Sequence, residues 1–287
     1  MEIPLFIVDS FARSPFEGNP AAVCLLENAL QEELYQNIAS EMNLSETVFI
    51  TKLKATDDFS SGARFSLRWF TPIHEIGLCG HATLASAAVL FFKKENTNPV
   101  VVFETLSGEL RVRQRGQLIV MDFPLNKPEV QDHNEYKDLL KALLGDLPIQ
   151  DVSLCKTTMN LQVRLADTCH RSAFTTIQPE AGDLLRHEDG SKFKGVIVTM
   201  KGDSTSQVKY DFFSRHFAPW HGVLEDPVCG SAHTILAAYW SEKLGKKKLL
   251  AYQCSKRGGE LELELRDDGR VDIAGRAVVI IQGTLKL

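Results

Sequence analysis

The sequence has few of the features that mark metal-binding, secreted or membrane-spanning proteins. Its six cysteines in 287 residues are widely scattered, and no Cys-x-x-Cys spacing occurs. A structural zinc site or a disulfide framework is therefore not expected, and reduced thiols are typical of the cytosol. No segment approaches the roughly 18 consecutive apolar residues of a membrane helix. The N-terminus, Met1–Ala12, lacks the basic start and long apolar core of a signal peptide, so we expect a cytoplasmic protein with no membrane association.

The charge balance and the missing motifs exclude further classes of protein. The chain carries 32 Lys and Arg against 37 Asp and Glu, a formal net charge of −5, so it has no diffuse basic field to hold nucleic acid. The longest basic run, Lys246–Lys248, follows Leu244 and Gly245 and is typical of the solvated end of a helix. There is no Gly-x-Gly-x-x-Gly after a strand, no P-loop and no His-Glu-x-x-His. We therefore expect no nucleotide, no organic cofactor and no metal.

Apolar alternation and β-branched residues predict strands along most of the chain. In the first half the predicted strands are Leu5–Phe11, Ala21–Leu26, Thr47–Thr51, Phe65–Phe70, Val100–Thr105, Glu109–Gln114 and Leu118–Phe123. In the second half they are Leu161–Leu165, Gly195–Met200 and Val208–Phe213, followed by hairpin strands to the C-terminus. The sequence Asp267-Asp268-Gly269 predicts the tight turn of one such hairpin.

Four segments have the periodicity of helices. Two of them, near Gln31–Glu41 and Lys137–Leu144, are short helices between strands. The other two, His81–Phe92 and Ser231–Leu244, are apolar nearly all round. A helix of that kind is normally buried, so we expect a sheet wrapped about each.

Two halves of the sequence resemble each other. The stretch Pro124–Tyr136 keeps neither periodicity, so it predicts a connection between residues 1–125 and 126–287, with the last strand able to pack back on the first half. In each half an Arg-x-Phe-x-Pro block, beginning at Arg68 or Arg215, precedes a Cys-Gly pair and an apolar helix. Two short matches in the same order indicate an internal duplication. A duplicated pair of α+β halves usually places its site in the crevice between them.

The starts of the two apolar helices are candidate anion sites. Each follows Cys-Gly, at Gly80 or Gly230, and has His81 or Ser231 as its first side chain. Helix starts offer unsatisfied backbone N–H groups and a positive dipole end, which bind carboxylates or phosphates. Alternatively, the glycines permit tight turns and the two side chains cap their helices. The repetition favours the anion site.

Glu46 is a candidate acid/base residue because it lies between a helix and an apolar strand, in Asn43–Phe49. A carboxylate at the mouth of a core strand is partly desolvated, which suits it to proton transfer. The local sequence alone favours the alternative, a surface glutamate that begins a strand or a turn at Ser45.

Five blocks of the sequence are similar, in order, to the signature blocks of the PhzF family, and they span almost the whole chain. They are Phe16-Glu17-Gly18-Asn19-Pro20-Ala21-Ala22-Val23, Asn43-Leu44-Ser45-Glu46-Thr47, Arg68-Trp69-Phe70-Thr71-Pro72, Cys79-Gly80-His81-Ala82-Thr83 and Glu225-Asp226-Pro227-Val228-Cys229-Gly230-Ser231-Ala232-His233. The resemblance implies an α+β, diaminopimelate-epimerase-like fold. It consists of two pseudo-symmetric halves, each a mostly antiparallel sheet or barrel around a central apolar helix, and it commonly assembles as a homodimer.

The resemblance also implies an activity and a set of site residues. The family enzyme isomerises a dihydro-hydroxyanthranilate, a small carboxylate, without metal or organic cofactor. Its acid/base glutamate falls on Glu46, and further catalytic residues fall on His81 and Asp226. Substrate-binding positions fall on Asn19, Gly80, Gly230 and Ser231. The name of a vertebrate relative in this family points to a WD-repeat protein as a partner, although no linear motif identifies the surface involved.

Two other functions stay open from the sequence. Cys79 and Cys229 stand at equivalent points of the repeat, as the two thiols of a racemase would, and a helix N-terminus favours the thiolate. That arrangement would leave Glu46 without a role. The second alternative is a catalytically silent protein that keeps the fold and acts through protein partners, because a fold does not fix a function.

Overall fold

The computed structural model of the chain describes residues 1–203 and 208–287. The strands, in chain order, are β1 (Glu2–Ser10), β2 (Asn19–Leu26), β3 (Glu46–Lys52), β4 (Arg64–Phe70), β5 (Glu75–Ile76), β6 (Val101–Thr105), β7 (Gly108–Arg115), β8 (Leu118–Pro124), β9 (Glu129–Val130), β10 (Ile149–Cys155), β11 (Asn160–Leu165), β12 (Gly195–Lys201), β13 (Phe212–Ala218), β14 (Val223–Asp226), β15 (Lys248–Gln253), β16 (Gly259–Leu265), β17 (Arg270–Gly275) and β18 (Ala277–Lys286).

The helices are α1 (Glu32–Met42), α2 (Gly80–Ala88), α3 (Lys137–Leu144), α4 (Arg171–Thr175), α5 (Ala181–His187) and α6 (Gly230–Leu244). A π-helical turn, Val89–Lys93, continues α2, and 3-10 turns lie at His133–Tyr136 and Pro219–His221. Among the described residues, no helix combines the length and the apolar character that crossing a bilayer would demand.

The chain forms two units. The first comprises Met1–Phe123 together with Asp272–Leu287, and the second comprises Pro124–Val271. In the first unit β1 pairs antiparallel with β2 and with β18. Strand β2 is parallel to β3, which is antiparallel to β4. Strand β4 in turn pairs antiparallel with β5 and parallel with β6, and β7 joins β6 and β8.

The second unit repeats this pairing scheme strand for strand. Strand β10 is antiparallel to β11, β11 is parallel to β12, and β12 is antiparallel to β13. Strand β13 pairs antiparallel with β14 and parallel with β15, which is antiparallel to β16. Helix α6 lies between β14 and β15 in the chain, as α2 lies between β5 and β6. The repeat of order and direction supports the duplication predicted from two short sequence matches.

Both apolar helices are buried within their own unit, as the sequence predicted. Helix α2 packs against β1, β2, β3, β7 and β18, and all of its residues from His81 to Ala88 are buried. Its two hydroxyl side chains are satisfied inside the helix, because Thr83 donates to the carbonyl of Cys79 and Ser86 to that of Ala82. Helix α6 packs against β15 and β16. Helix α1 contacts β3 and β4, where Tyr35 packs on aromatic rings.

Most predicted elements are confirmed within a residue or two, but one strand was placed wrongly. The prediction Val208–Phe213 falls largely before β13, which covers Phe212–Ala218. Strand β13 is buried along its whole length although it contains Ser214, Arg215 and His216. Buried polar residues hide a strand from an apolar pattern, and these three residues are held by specific partners.

Candidate active site

The start of α2 is held by Cys79, which precedes the helix, and by Ser10 of β1. Cys79 has an extended backbone, and its carbonyl accepts the first helical hydrogen bond from the Thr83 amide at 3.1 Å. The Cys79 side chain makes no capping hydrogen bond, so it leaves the first amides of the helix to other acceptors. Ser10, at the end of β1, donates to the carbonyl of His81 at 2.7 Å. This bond anchors the first turn of the helix to the sheet.

The His81 ring has polar neighbours at both of its nitrogens. Nδ1 lies 3.1 Å from Nδ2 of Asn19 and 3.4 Å from Sγ of Cys79. Nε2 lies 3.0 Å from Oε2 of Glu46 and 3.4 Å from Oγ of Ser45. The structure therefore brings the predicted residues of the first unit into one cluster, in which Gly80 is the first residue of the helix.

Glu46 begins β3, and its side chain is only 14% exposed. Its Oε2 is buried and makes no hydrogen bond within residues 1–203 and 208–287, so its contact with His81 has the distance of an ion pair without hydrogen-bond geometry. A buried carboxylate oxygen normally has a hydrogen-bond partner. Glu46 therefore keeps acceptor capacity that the fold itself does not use.

The protonation states in this cluster follow from burial and from the Glu46 charge. Burial, reinforced by Glu46, raises the pKa of the Cys79 thiol to about 11, which is the opposite of the lowered pKa expected from its place at a helix start. Burial lowers the pKa of His81, but Cys79 and Glu46 outweigh it and hold that pKa well above 6.5. The carboxylate of Glu46 lies 3.0 Å from Nε2 of His81 and is the acidic side chain in contact with that nitrogen.

Asn19 contacts the histidine rather than solvent. The residue is 1% exposed and begins β2. Its amide nitrogen faces Nδ1 of His81, and an amide nitrogen can only donate. A doubly protonated ring has a donor at each nitrogen, so the charged form of His81 requires the amide oxygen of Asn19 to turn toward Nδ1. The side chain that the sequence assigned to substrate binding is thus placed to follow the protonation state of His81.

The second unit builds the start of α6 with a different set of partners. Gln253, at the end of β15, accepts a hydrogen bond from the Cys229 amide at 3.0 Å and donates to the carbonyl of Asp226 at 2.6 Å. The loop from Asp226 to Cys229 is therefore fixed by one fully buried amide. Sγ of Cys229 lies 3.2 Å from Oγ of Ser231, and Gly230 is the first residue of the helix. The predicted residues of the second unit thus lie together around this helix start.

His216 belongs to this cluster, although the sequence did not single it out. Its side chain is 8% exposed, Nε2 lies 2.9 Å from Oδ1 of Asn160, and Nδ1 lies 3.6 Å from Oδ2 of Asp226. Burial lowers the pKa of His216, but Cys229 and Asp226 outweigh it and raise the pKa to about 10. The only available signal was its position in the repeated block, where it is aligned with a tryptophan. Its contact with Asn160 joins residues 56 apart in sequence, which no local pattern reveals.

His233, three residues into α6, is the other buried histidine near this helix start. Nδ1 donates to the carbonyl of Cys229 at 2.7 Å, and Nε2 lies 3.2 Å from Oγ of Ser214. Burial lowers the pKa of His233 to about 4. It is therefore a neutral structural residue, and its contacts with Cys229 and Ser214 join the first turn of α6 to β13. His74 and His221, by contrast, are exposed.

Each cluster contains a histidine, a cysteine and a carboxylate. Their ligand atoms lie within 4.8 Å of one another in each of two sets, which are Glu46, Cys79 and His81 in the first unit and His216, Asp226 and Cys229 in the second. These donor types bind Zn²⁺ in other proteins. The raised pKa values of the two histidines mean that a metal ion would have to displace a proton in each set. In each set, a metal ion could therefore bind only in competition with the proton on the histidine.

The chain is similar over its full length to proteins of known family. It is 54% identical to the mouse phenazine biosynthesis-like domain-containing protein 2, and the alignment covers 99% of each chain. It is 44% identical to a Pseudomonas aeruginosa protein named an uncharacterized isomerase, with 100% of each chain covered. The crystal structure of a PhzF family protein from Enterococcus faecalis is 41% identical, covers 100% of each chain and superposes with a TM-score of 0.87.

The fold extends beyond close relatives. A hydroxyproline epimerase from Agrobacterium vitis is only 13% identical but superposes with a TM-score of 0.56 over 99% of this chain and 91% of its own. This likeness concerns the fold alone, and it confirms the α+β, epimerase-like architecture expected from the sequence. Residues 8–283 match the family model described as phenazine biosynthesis-like protein. The chain belongs to the PhzC–PhzF family.

Proposed function

We propose that this protein is a cofactor-independent isomerase that moves a proton within a small carboxylate-bearing substrate, with Glu46 as the acid and base. Relatives of 44% and 41% identity are named isomerases, which supports an isomerase-type enzyme. The observation that carries the finer proposal is the buried Oε2 of Glu46, 3.0 Å from the His81 ring and without a hydrogen bond in the described chain. Such an oxygen is available to a substrate proton.

The proposed reaction needs no electron donor or acceptor. Glu46 takes a proton from a carbon made acidic by conjugation with the substrate carboxylate, and the electron pair of that C–H bond enters the conjugated system. Glu46 then returns the proton to another carbon, so one C–H bond breaks, one forms, and a double bond shifts. His81 balances the carboxylate charge, and Asp226 carries or orients a proton. Positioned acid/base groups of this kind contribute about 10²–10⁴ in rate.

Substrate binding is assigned to the helix starts. Neither Cys79 nor Cys229 caps its helix with a side chain, so the amides that follow at Gly80 and Gly230 can hold a carboxylate. The hydroxyl of Ser231 adds a donor at the second start. Asn19 supports this arrangement through its contact with His81.

The pKa of Cys79 argues against a thiol mechanism. A two-cysteine racemase requires a thiolate on one face of the substrate, and burial raises the pKa of this thiol to about 11. In the same cluster Oε2 of Glu46 lies 3.0 Å from the His81 ring and makes no hydrogen bond among the described residues. The carboxylate is therefore the better candidate for proton abstraction.

Deuterium uptake from D2O tests the proposal even where the product of the reaction has not been identified. The protein is incubated with single small carboxylic acids, including a dihydro-hydroxyanthranilate and several amino acids, and mass spectrometry measures incorporated deuterium. We expect uptake with at least one conjugated acid, and a loss of about 10² or more in Glu46→Gln, which keeps the shape and removes the base.

A matched control and a contrary outcome make the test decisive. Glu41→Gln changes an exposed glutamate at the end of α1 and should leave the uptake unchanged. Uptake at the α-carbon of amino acids that survives Glu46→Gln but is lost in Cys229→Ser would replace this proposal with the racemase. Undiminished uptake in Glu46→Gln with a conjugated acid would exclude the role of Glu46.

A further inference from the structure

The two units carry different polar groups at equivalent positions of the repeat. Phe70 and Phe217 occupy the same place in the repeated block, so Trp69 in the first unit corresponds to His216 in the second. The strand partner of Trp69 is Ile76, and the strand partner of His216 is Asp226. A buried tryptophan and a half-buried isoleucine in one unit therefore correspond to a histidine and a carboxylate in the other.

The orientation of the His216 ring is set by Asn160. Oδ1 of Asn160 lies 2.9 Å from Nε2 and accepts its proton, which directs Nδ1 toward Asp226. The neighbouring position on β12 is Gly195, and a Cβ there would lie 2.3 Å from Oδ1 of Asn160 and 2.5 Å from Nε2 of His216. The absence of a side chain at Gly195 is thus what leaves room for this hydrogen bond.

Nδ1 of His216 is an unusual group for a protein interior. It is buried and makes no hydrogen bond in the part of the chain that the structure describes, while Oδ2 of Asp226 stands 3.6 Å away. A buried polar atom without a hydrogen-bond partner destabilises the folded state. The gap of 3.6 Å is short enough for a small rotation of Asp226 to close it into a hydrogen bond.

We propose that His216 is a positioning residue that holds Asp226 through Nδ1, with Asn160 fixing the ring from the opposite side. Nδ1 donates to the Asp226 carboxylate when that side chain turns toward it, and the ring balances the carboxylate charge when it turns away to a substrate proton. The role of Asp226 in this inference rests on the proposed function. The contact between His216 and Asp226 does not depend on that function.

The groups facing His216 from each packed element agree with this role. Strand β14 presents Asp226, the residue before α6 presents the thiol of Cys229, and α6 presents His233. Cys229 and Asp226 raise the pKa of His216. Burial lowers the pKa of His233, and the charge of His216 lowers it further. Of the two buried histidines, His216 is therefore the one that carries charge at neutral pH.

Histidine NMR tests the contact without any substrate. The full chain with isotope-labelled histidine is titrated from about pH 5 to 11, and His216→Gln assigns the ring signal. We expect His216 to stay protonated through neutral pH, with its midpoint lowered by about one pH unit or more in Asp226→Asn. Glu242→Gln, on the exposed face of α6, should leave the midpoint unchanged. In the wild type, the chemical shifts of the two ring nitrogens should indicate a single orientation of the His216 ring. In Asn160→Ala this single orientation should be lost.

The same measurement can overturn the inference. A His216 ring that is neutral at pH 7, or a midpoint that Asp226→Asn does not move, excludes the contact. If deuterium uptake is found as proposed, His216→Gln should shift the pH profile of kcat and reduce kcat about tenfold with little change in KM. His216→Asn, whose amide lies near the position of Nδ1, should recover part of the loss. An unchanged pH profile in His216→Gln would contradict the positioning role, whereas a failure to find any substrate leaves the NMR result standing.

Discussion

Glu46 and Gly195 occupy equivalent positions in the two units. Phe70 and Phe217 are the equivalent phenylalanines of the repeated block, and they pair with Thr47 and Val196, respectively. Glu46 immediately precedes Thr47, and Gly195 immediately precedes Val196. The duplication has therefore kept the strand pairing and exchanged the chemistry. One copy carries a carboxylate at this position, and the other carries no side chain at all.

Substitution of Gly195 should destabilise the protein through the Asn160–His216 hydrogen bond. In Gly195→Ala the added Cβ would lie 2.3 Å from Oδ1 of Asn160 and 2.5 Å from Nε2 of His216, so both side chains must move. Overpacking of this kind costs about 1–3 kcal/mol. Urea unfolding measures the expected fall in the free energy of unfolding.

Gly182→Ala is the matched control, because a Cβ there meets no atom within 4 Å. Gly182 lies within α5, where alanine is favoured over glycine by up to about 1 kcal/mol. The control should therefore unfold at the same urea concentration as the wild type or at a higher one. Equal stability of Gly195→Ala and the wild type would show that the two side chains do not fill this space.

The stability of the protein should fall at mildly acid pH because of His233. Its pKa is lowered to about 4 in the folded state by burial, so the unfolded chain takes up the proton first. The stability from the neutral ring is complete above the unfolded pKa of about 6.5 and is lost as the pH falls through 6.5 toward 4. One such proton changes the free energy of unfolding by up to about 1.4 kcal/mol per pH unit.

His233→Asn isolates this contribution. The asparagine amide can still donate to the carbonyl of Cys229, but it does not titrate. The variant should therefore show a flatter dependence of unfolding free energy on pH between about 4 and 6.5 than the wild type. His187→Asn, which changes an exposed histidine at the end of α5, should keep the wild-type slope. Parallel curves for the wild type and His233→Asn would contradict the buried neutral state of this ring.

The sequence predicted the repeat, the buried helices and the two cysteine-glycine starts, because each produces a local pattern. Apolar residues all round α2 and α6 indicate burial whatever the neighbours are. The local pattern does not predict which residues contact each helix start. Gln253 holds the loop before Cys229 from 24 residues away, and Asn160 holds His216 from 56 residues away. Such contacts depend on strand order, which periodicity does not reveal.

The sequence was misleading where burial and polarity coincide. The low thiol pKa expected for Cys79 came from its place before a helix, but full burial and the nearby Glu46 charge dominate and raise it. His233 is a polar residue in an apolar helix, and its two hydrogen bonds allow complete burial. The cytoplasmic location stays a prediction from the sequence, and the homodimer and the WD-repeat partner stay predictions of the resemblance.

Cys79 should react slowly with thiol reagents despite its place at a helix start. With a pKa of about 11, only about one molecule in a thousand carries the thiolate at pH 8. Alkylation by iodoacetamide, followed by peptide mass spectrometry, should therefore be much slower at Cys79 than for a free thiol. The rate should rise about tenfold per pH unit between pH 8 and 10. Labelling at pH 8 as fast as that of N-acetylcysteine would restore the thiolate and, with it, the racemase alternative.

Arg68 should contribute more to stability than the more exposed Arg64, although both form two ion pairs. The guanidinium of Arg68 makes paired hydrogen bonds of 2.7–2.8 Å with Glu75 and Glu32, and it lies 4.6 Å from the ring centre of Tyr35. Lysine cannot reproduce the planar fork or the stacking. Arg68→Lys should therefore lower the free energy of unfolding by about 1–2 kcal/mol.

Arg64→Lys supplies the comparison, because Arg64 pairs with Glu104 and Glu109 while its side chain is 44% exposed. Ion pairs exposed to water contribute little to stability, so the lysine should cost less there than at Arg68. Urea unfolding at low and high salt separates the two cases, since salt screens the exposed pairs and leaves the ring stacking of Arg68 in place. Equal losses in both variants would mean that the aromatic contact adds nothing to the ion pairs.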